Sequence, residues 1–227
     1  KAGIAACACV DYRTINQSKA HEEGQQPHSS GLTGMETAQR KPPLVVGIGG
    51  TLRSGASSEK ALRVALGAAA EHGAQIAIIA GRDLELPIYN EERVELTRAG
   101  SGMLDLIRRS DGLIISSPGY HGSISGLIKN AVDYVEELRT DVRPYWTGRA
   151  VGLIACAYGW QATGTTLASL RSVVHALRGW PTPLGVAVNS SLVSFSPDGG
   201  CSDDAMAQQL RVLGQQVVEF AMANRAP

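Results

Sequence analysis

The sequence predicts an α/β fold, a doubly wound three-layer sandwich with a five-stranded parallel sheet between two layers of helices. Short apolar runs of strand length alternate with segments whose apolar residues recur every three to four positions. Glycine is frequent, at 26 residues, and aromatic residues make up only 5% of the chain. This composition is typical of α/β domains, and 227 residues suffice for one well-buried domain.

The first half of the chain supplies three strands and two helices. In chain order, these elements are predicted at 44–49, 57–72, 75–80, 95–109 and 111–117. Gly73 is expected to end the first helix. Gly100 and Gly102 weaken the helical pattern at the start of the second, because glycine is a poor helix former.

The second half continues the same alternation. The elements are predicted as a helix at 125–138, a strand at 149–156, a helix through Leu167 and Leu177, a strand at 184–188 and a helix at 202–223. The last helix carries a long apolar stripe from Met206 to Phe220. Each helix therefore has one face suited to packing on a sheet.

This alternation also predicts topology and the position of a site. Strands that alternate with helices are joined by right-handed crossovers, so they lie parallel with helices on both faces of the sheet. Five strands favour the order 2-1-3-4-5 over the order of six-stranded dinucleotide-binding domains. Ligands bind beyond the carboxyl ends of such strands, so we expect function in the loops that follow Gly49, Ser117 and Cys156.

Residues 1–43 lack this regularity, and we expect them to be an extension, arm or leader outside the folded domain, which spans 44–227. The stretch from 11 to 43 is polar and aperiodic. Met35 is a candidate native start. An ordered arm that packs on a partner subunit is the alternative.

Charge and hydropathy favour small molecules or protein surfaces as partners. The 21 basic and 21 acidic residues cancel, and no Lys/Arg-rich run supplies the positive surface of a protein that binds nucleic acid or acidic membranes. The apolar runs are too short to span a bilayer. Because the cysteines form no Cys-x-x-Cys pair, we expect no metal site and a reducing, cytoplasmic location. The cysteines are Cys7, Cys9, Cys156 and Cys201.

The loop after the first strand, 47–58, predicts an anion site. It fails the dinucleotide fingerprint because Leu52 replaces the third glycine, and it lacks the lysine of a P-loop. Its hydroxyls, Arg53 and the N-terminus of the following helix suit a terminal phosphate monoester. We also expect Ser57 or Ser58 to cap that helix. The alternative is that capping is the whole role of these hydroxyls.

The loops after the third and fourth strands supply surfaces for a planar ligand. Ser117-Pro-Gly-Tyr-His-Gly-Ser-Ile-Ser-Gly126 contains glycines that let the backbone approach closely, and Tyr120 offers an apolar wall. A plain turn is the alternative, although ten residues exceed what one needs. In the next loop, Tyr158 and Trp160 either line a ring system or pack on a neighbouring subunit.

Three segments together carry a family resemblance. They are Gly50-Thr-Leu-Arg-x-x-x-Ser57, Ser117-Pro-x-Tyr-x-Gly-Ser-x-x-Gly126-x-x-Lys-Asn130 and Asp133-Tyr-Val. They resemble the NAD(P)H-dependent FMN reductases of the flavodoxin-like superfamily, over about residues 44–190. The second motif is fairly specific, and the resemblance implies the flavodoxin-like strand order 2-1-3-4-5.

The resemblance implies how FMN would be held. The first loop would bind the phosphate, the second would line the isoalloxazine ring and ribityl chain, and the third would approach the other edge of the ring. The residues implicated are Thr51, Arg53, Ser57, Ser58, Pro118, Gly119, Tyr120, His121, Gly122, Ser123, Ala157, Tyr158 and Gly159. His121 is also a candidate donor to the flavin or to a quinone oxygen.

The chain departs from the family pattern in two of these loops, which bears on substrate preference. Gly119, His121 and Ser125 stand where the family usually has Glu, Asn and Pro. Tyr158 and Trp160 stand in a loop that is usually rich in glycine.

The resemblance also implies the activity. An NAD(P)H-dependent FMN reductase passes hydride from NADPH or NADH to flavin N5 and on to a free flavin, without an acid–base pair on the protein. An FMN-dependent quinone or azo reductase is the alternative. The family further implies a homodimer or homotetramer with the helix near 125–138 at the interface, where the sequence shows extra apolar surface. Transfer of reduced flavin to a flavin-dependent monooxygenase is a further implied partnership.

Two alternatives involve no turnover. A flavodoxin-like electron carrier is usually strongly acidic so that it docks on basic partners, whereas this chain is neutral. A doubly wound binding domain without its cofactor would tolerate Arg53→Ala with no measurable change.

Overall fold

The computed structural model describes residues 41–92, 96–196 and 199–224, so 1–40 of the predicted extension lie outside the described residues. In this described part of the chain, five parallel strands form the sheet, and they are β1 (Leu44–Gly49), β2 (Gln75–Ala80), β3 (Gly112–Tyr120), β5 (Ala150–Ala157) and β6 (Trp180–Asn189). A two-residue strand, β4 (Ser123–Ile124), pairs antiparallel with the end of β3. The sheet order is β2-β1-β3-β5-β6. This confirms the predicted order 2-1-3-4-5, because counting the short β4 raises the numbers of the two strands that follow it.

Helices cover both faces of the sheet, as the alternating pattern predicts. They are α1 (Ser57–Glu71), α2 (Arg98–Arg109), α3 (Gly126–Asp133), α4 (Trp160–Ala176) and α5 (Asp204–Ala223). Helices α1 and α5 pack on one face, and α2, α3 and α4 pack on the other. Successive strand residues point alternately to the two faces of the sheet: Ile114 faces α1 and α5, while Ile115 faces the opposite helix layer.

Two strands are longer than the sequence indicates. β3 continues past Ser117 because it forms a hairpin with β4. β6 begins at Trp180 rather than 184, although it contains Pro181 and Pro183. Among the described residues it pairs with β5 alone, so it is an edge strand, where a proline without an N–H is tolerated.

Helix α2 forms in spite of its glycines. Thr97 caps it, accepting a hydrogen bond from the Gly100 N–H at 3.1 Å. Gly100 lies against the ring of Tyr134, where a Cβ would stand 3.4 Å from Cε1. Packing thus offsets the weak intrinsic propensity.

The expectation of extra apolar surface on the segment 125–138 is wrong. This segment forms α3 and then a short 3-10 helix, Tyr134–Leu138. Its apolar side chains, among them Ile128, Val135 and Leu138, are buried in the core of the chain itself. Within the described residues, no helix is both long enough and apolar enough to cross a membrane.

Candidate functional site

The loops after β1, β3 and β5 meet at the carboxyl end of the sheet. The strand register brings Gly49 beside Ser116, Pro118 beside Cys156 and Ala157 beside Asn189. Together these loops enclose a cleft of about 300 Å³. The cleft lies where the sequence predicts a ligand site, beside the point at which the strand order reverses.

Most of the predicted site residues line this cleft. The lining consists of Thr51, Arg53, Ala56, Ser57, Ser58, Pro118, Gly119, Tyr120, Cys156, Ala157, Tyr158, Gly159, Ala162 and Ser190. His121, Gly122 and Ser123 lie outside it. Four lining residues are not among the site residues predicted from the sequence: Ala56, Cys156, Ala162 and Ser190. Ser190 directly follows β6, and the carboxyl end of β6 lies beside that of β5. The predicted position of β6 next to β5 would have identified Ser190 as a site residue.

The N-terminus of α1 opens into the cleft without a side-chain cap. Ala56 occupies the N-cap position, and no side chain of the described residues makes the capping hydrogen bond. The expectation that Ser57 or Ser58 caps the helix is therefore wrong. The first-turn N–H groups and the positive end of the helix dipole remain available to an anion.

Ser58 adds a hydroxyl to this helix end. The residue is 2% exposed, and its Oγ finds no hydrogen-bond partner among the described residues. Its carbonyl accepts a hydrogen bond of 2.8 Å from Ser116 Oγ, which fixes the start of α1 against the middle of β3. A buried hydroxyl without a partner is costly, so a ligand that accepts from it would be stabilised.

The loop between β1 and α1 is folded by a local turn. Thr51 Oγ1 accepts a hydrogen bond from the Arg53 N–H and lies 3.1 Å from the Arg53 carbonyl, to which it donates. Gly50 and Gly55 have φ of 99° and 70°, in the left-handed region that glycine favours. The Arg53 side chain is exposed and has no ion pair within the described residues. Its positive charge is therefore free to face a ligand.

The β3–β4 hairpin explains why three predicted residues miss the cleft. His121 and Gly122 form a two-residue turn in which both φ values are positive, 50° and 88°. Such a turn suits the twist of a hairpin. Ser123 points toward α4, with its Oγ 3.4 Å from Ser169 Oγ. His121 stands exposed at the hairpin tip.

Gly119 forms part of the cleft floor, and packing requires a glycine there. A Cβ would lie 2.6 Å from Thr166 Oγ1 and 3.2 Å from the Ala162 carbonyl oxygen. Helix α4 thus approaches β3 too closely for the glutamate that the family usually carries at this position. No side chain therefore projects into the cleft from position 119.

Cys156 also lines the floor, with 5% of its surface exposed. Burial raises the pKa of its thiol to about 12, although a hydrogen bond with Ser116 acts in the opposite direction. The thiol stays protonated near neutral pH. It is therefore suited to packing and not to nucleophilic chemistry.

The Lys129-Asn130 part of the second motif has a structural role away from the cleft. The Asn130 amide donates to the carbonyls of Leu86 and Pro87 and accepts from the Tyr89 N–H. Lys129 forms an ion pair with Asp133 one turn later. The motif thus fixes the segment after β2, a role that the sequence did not indicate.

The model of the family described as NADPH-dependent FMN reductase matches residues 43–192 of the chain. This chain belongs to that family. The match includes all three loops of the cleft and ends just after Ser190.

Curated relatives and solved structures agree with this family assignment. The FMN-dependent NADPH-azoreductase of Staphylococcus aureus strain USA300 is 32% identical over 120 residues, 52% of this chain and 59% of that protein. The FMN-dependent NADPH-azoreductase of Staphylococcus haemolyticus is 31% identical over 123 residues, which are 53% of this chain and 61% of that protein. The chain therefore spans about three fifths of the length of these relatives.

The solved structures support the fold. The flavoenzyme NAD(P)H:(acceptor) oxidoreductase FerB from Paracoccus denitrificans superposes with a TM-score of 0.66 at 21% identity, covering 80% of this chain and 98% of that one. An NADH:FMN oxidoreductase, EMOB, gives 0.60 at 19% identity, covering 82% and 91%. Both similarities show a common flavodoxin-like architecture.

Proposed function

We propose that this chain binds FMN in the cleft and uses NADPH or NADH to reduce a second substrate, with free flavin as the first candidate. The observation that carries the proposal is the uncapped N-terminus of α1, where the buried Ser58 hydroxyl has no partner among the described residues. Membership of the NADPH-dependent FMN reductase family supports it. FMN-dependent NADPH-azoreductases that are 32% identical to the chain over 120 aligned residues support it as well.

The cleft suits both ends of FMN. A phosphate would accept hydrogen bonds from Ser58, from the α1 backbone and from Thr51 or Ser57, and Arg53 would balance its charge. The other end of the cleft is formed by Pro118, Gly119, Ala157 and Gly159, whose small or flat surfaces suit a planar ring, with Tyr120 and Tyr158 at its edges. We assign His121, Gly122 and Ser123 to the hairpin above the cleft, and their contacts with FMN stay a prediction.

Bound FMN would supply the redox chemistry, taking hydride at N5 from the nicotinamide and delivering the electrons to the acceptor. The chain supplies position and electrostatics. Its helix end and Arg53 hold an anion, while its uncharged floor excludes water from a planar ring. The lining as described has no carboxylate or imidazole, and Cys156 is protonated. Because the flavin would supply the redox chemistry, we expect no acid–base pair from the protein.

Purification followed by spectroscopy tests this proposal. We expect a yellow protein, or a colourless one that quenches the fluorescence of added FMN at one site per chain. NADPH oxidation is then followed with FMN, a quinone and an azo dye as acceptors. Absence of both flavin binding and NADPH oxidation would refute the proposal.

A second candidate is FMN-dependent azo or quinone reduction. It is favoured by the curated relatives, which are FMN-dependent NADPH-azoreductases. The same assay separates the candidates, since an azoreductase gives a higher kcat/KM with the azo dye than with free FMN.

Further aspects of the function stay predictions. We propose that residues 44–227 are the FMN-binding domain and that 1–43 are an extension. We also propose a cytoplasmic homodimer or homotetramer that delivers reduced flavin to a monooxygenase. Sedimentation of the purified chain tests the assembly, and a coupled monooxygenase assay tests the delivery.

A further inference from the structure

Lys60 lies one turn into α1, behind the loop that we propose to hold the phosphate. Its backbone N–H donates to the carbonyl of the N-cap residue Ala56 at 3.0 Å. Its side chain passes beside the loop, because a Cβ on Gly55 would stand 3.7 Å from Lys60 Cε. Lys60 is half-buried and is not among the residues that line the cleft. Its charge would therefore act on a bound anion across the loop, without direct contact.

The Lys60 ammonium group is held by a backbone carbonyl. Its Nζ donates to the Phe195 carbonyl oxygen at 2.8 Å. Phe195 is 8% exposed and belongs to the apolar layer of α1 and α5. It also forms an antiparallel bridge with Cys201. The acceptor thus belongs to an anchored segment, which gives the ammonium group a defined position.

No carboxylate among the described residues cancels this charge. Lys60 forms no ion pair there. The neighbouring Glu59 pairs with Arg63 at 2.8 Å, and the segment 190–196, which supplies the acceptor, contains no charged residue. A carbonyl holds an ammonium group and leaves its full charge, whereas a carboxylate would neutralise it.

Two uncompensated positive charges therefore lie at the phosphate end of the cleft. Arg53 and Lys60 both lack an ion pair within the described part of the chain. A terminal phosphate monoester carries a charge of about −1.5 to −2 near neutral pH, so two cations match it more closely than one. Riboflavin has no phosphate, and neither cation would attract it.

We infer that Lys60 is a specificity-determining residue, which selects a flavin with a terminal phosphate over riboflavin by adding a second positive charge to that of Arg53. This inference rests on the proposed function, which assigns the phosphate to this end of the cleft. The Phe195 carbonyl positions the ammonium group, and the charge of that group acts on the phosphate.

Three variants separate the charge of Lys60 from its hydrogen bond. Lys60→Arg keeps both the charge and a donor, Lys60→Gln keeps a donor without the charge, and Lys60→Met removes both. Lys129→Met is the matched control. Lys129 occupies the same position in α3 that Lys60 occupies in α1, four residues after the N-cap, and it does not line the cleft.

Fluorescence titration of the flavin-free chain gives the Kd for FMN and for riboflavin. At low salt we expect the Kd for FMN to rise about fivefold in Lys60→Gln and in Lys60→Met, the scale of one unit charge acting across partly solvated protein. The Kd for riboflavin should stay at the wild-type value in both. Lys60→Arg and Lys129→Met should leave the two constants unchanged.

Salt provides a second readout, which a purely structural role would not move. The difference in FMN affinity between the wild type and Lys60→Gln should shrink when NaCl is raised from about 50 mM to about 500 mM, because the added ions screen the charge. A difference that persists at high salt would overturn the inference.

The remaining outcomes are also decisive. Equal weakening of FMN and riboflavin, or wild-type FMN affinity in Lys60→Gln, would show that the hydrogen bond to Phe195 is the whole role of Lys60. If Lys60→Met does not fold, the comparison of Lys60→Arg with Lys60→Gln decides, since both keep a donor. A wild-type chain that binds neither flavin refutes the proposed function, whereas one whose preference for FMN survives in Lys60→Gln refutes this inference alone.

Discussion

Ser58 and Ser116 are adjacent buried serines in opposite hydrogen-bonding states. Ser116 Oγ donates to the Ser58 carbonyl at 2.8 Å, while Ser58 Oγ has no partner within the described residues. A hydroxyl that is satisfied within the fold contributes to stability, and one that is not costs free energy until a ligand accepts from it. Ser116 therefore has a structural role, whereas Ser58 is suited to a binding role.

Ser58→Ala should weaken FMN binding by about tenfold or more, because a hydrogen bond to a charged group contributes about 1.5–3 kcal/mol. The free energy of unfolding of the FMN-free chain should stay the same or rise, since alanine is also the better helix former. FMN fluorescence titration and urea unfolding measure the two quantities. A loss of stability without a loss of affinity would show that Ser58 has a structural role.

Ser116→Ala is the matched control. It removes the donor to the Ser58 carbonyl, and we expect the free energy of unfolding of the FMN-free chain to fall by about 1 kcal/mol. Urea unfolding without FMN checks this value. An unchanged unfolding midpoint would contradict the assigned hydrogen bond.

Tyr89 makes stability depend on pH above 10. Burial, the hydrogen bond to Glu137 and the charges of Glu137 and Glu136 raise its pKa to about 12. Because the folded pKa exceeds the unfolded value of about 10, this stabilisation is complete below pH 10 and is lost as pH rises to 12. Urea midpoints at pH 9 and 11 should therefore differ less in Tyr89→Phe than in the wild type. An equal difference between the two pH values in both proteins would show that groups other than Tyr89 cause the loss of stability.

At the scale of elements, α1 and α5 cross so closely that one contact point requires glycine. A Cβ on Gly214 would lie 2.2 Å from the Ala65 carbonyl oxygen. Helix α5 also lies close to the sheet, because Gly112 and Gly152 leave room for Val217 and Leu213. These glycines set the distance between the helix layer and the sheet on which the phosphate loop rests.

Gly214→Ala should lower the free energy of unfolding by about 1–3 kcal/mol, because backbone atoms must move to relieve the overlap. Gly67→Ala, on α1, is the control. A Cβ there meets nothing within 4 Å, so this change should raise stability by about 0.5–1 kcal/mol. Thermal unfolding of both variants measures the difference, and equal shifts would argue against the close crossing.

At the scale of the whole molecule, a ligand that binds the folded state alone raises its stability. FMN at one hundred times its Kd should add about 2.7 kcal/mol to the free energy of unfolding. Arg53→Ala should reduce this gain and leave the FMN-free chain unchanged, because Arg53 has no ion pair within the described residues. Arg82→Ala, another exposed arginine, is the control. An equal FMN-induced shift in Arg53→Ala and in the wild type would exclude Arg53 from the site.

Periodicity and turn residues were enough to predict the strand order and the three loops of the cleft. Leu44–Gly49 and Gln75–Ala80 end where their glycines and apolar patterns indicate. The β3 extension and the start of β6 were not predictable, since hairpin pairing and edge position depend on neighbouring strands. The N-cap of α1 was also misjudged, because a serine next to a helix start indicates a cap only if the backbone places it there.

The sequence by itself determined the fold class, the order of the sheet and the loops that face its carboxyl end, because strand and helix periods and glycine positions are local properties. Tertiary structure alone decided that Ser58 lacks a partner, that Gly119 is held against Thr166 and that His121 lies outside the cleft. These features depend on how closely separate elements approach one another. That distance is set by side chains far apart in the chain, which no local pattern records.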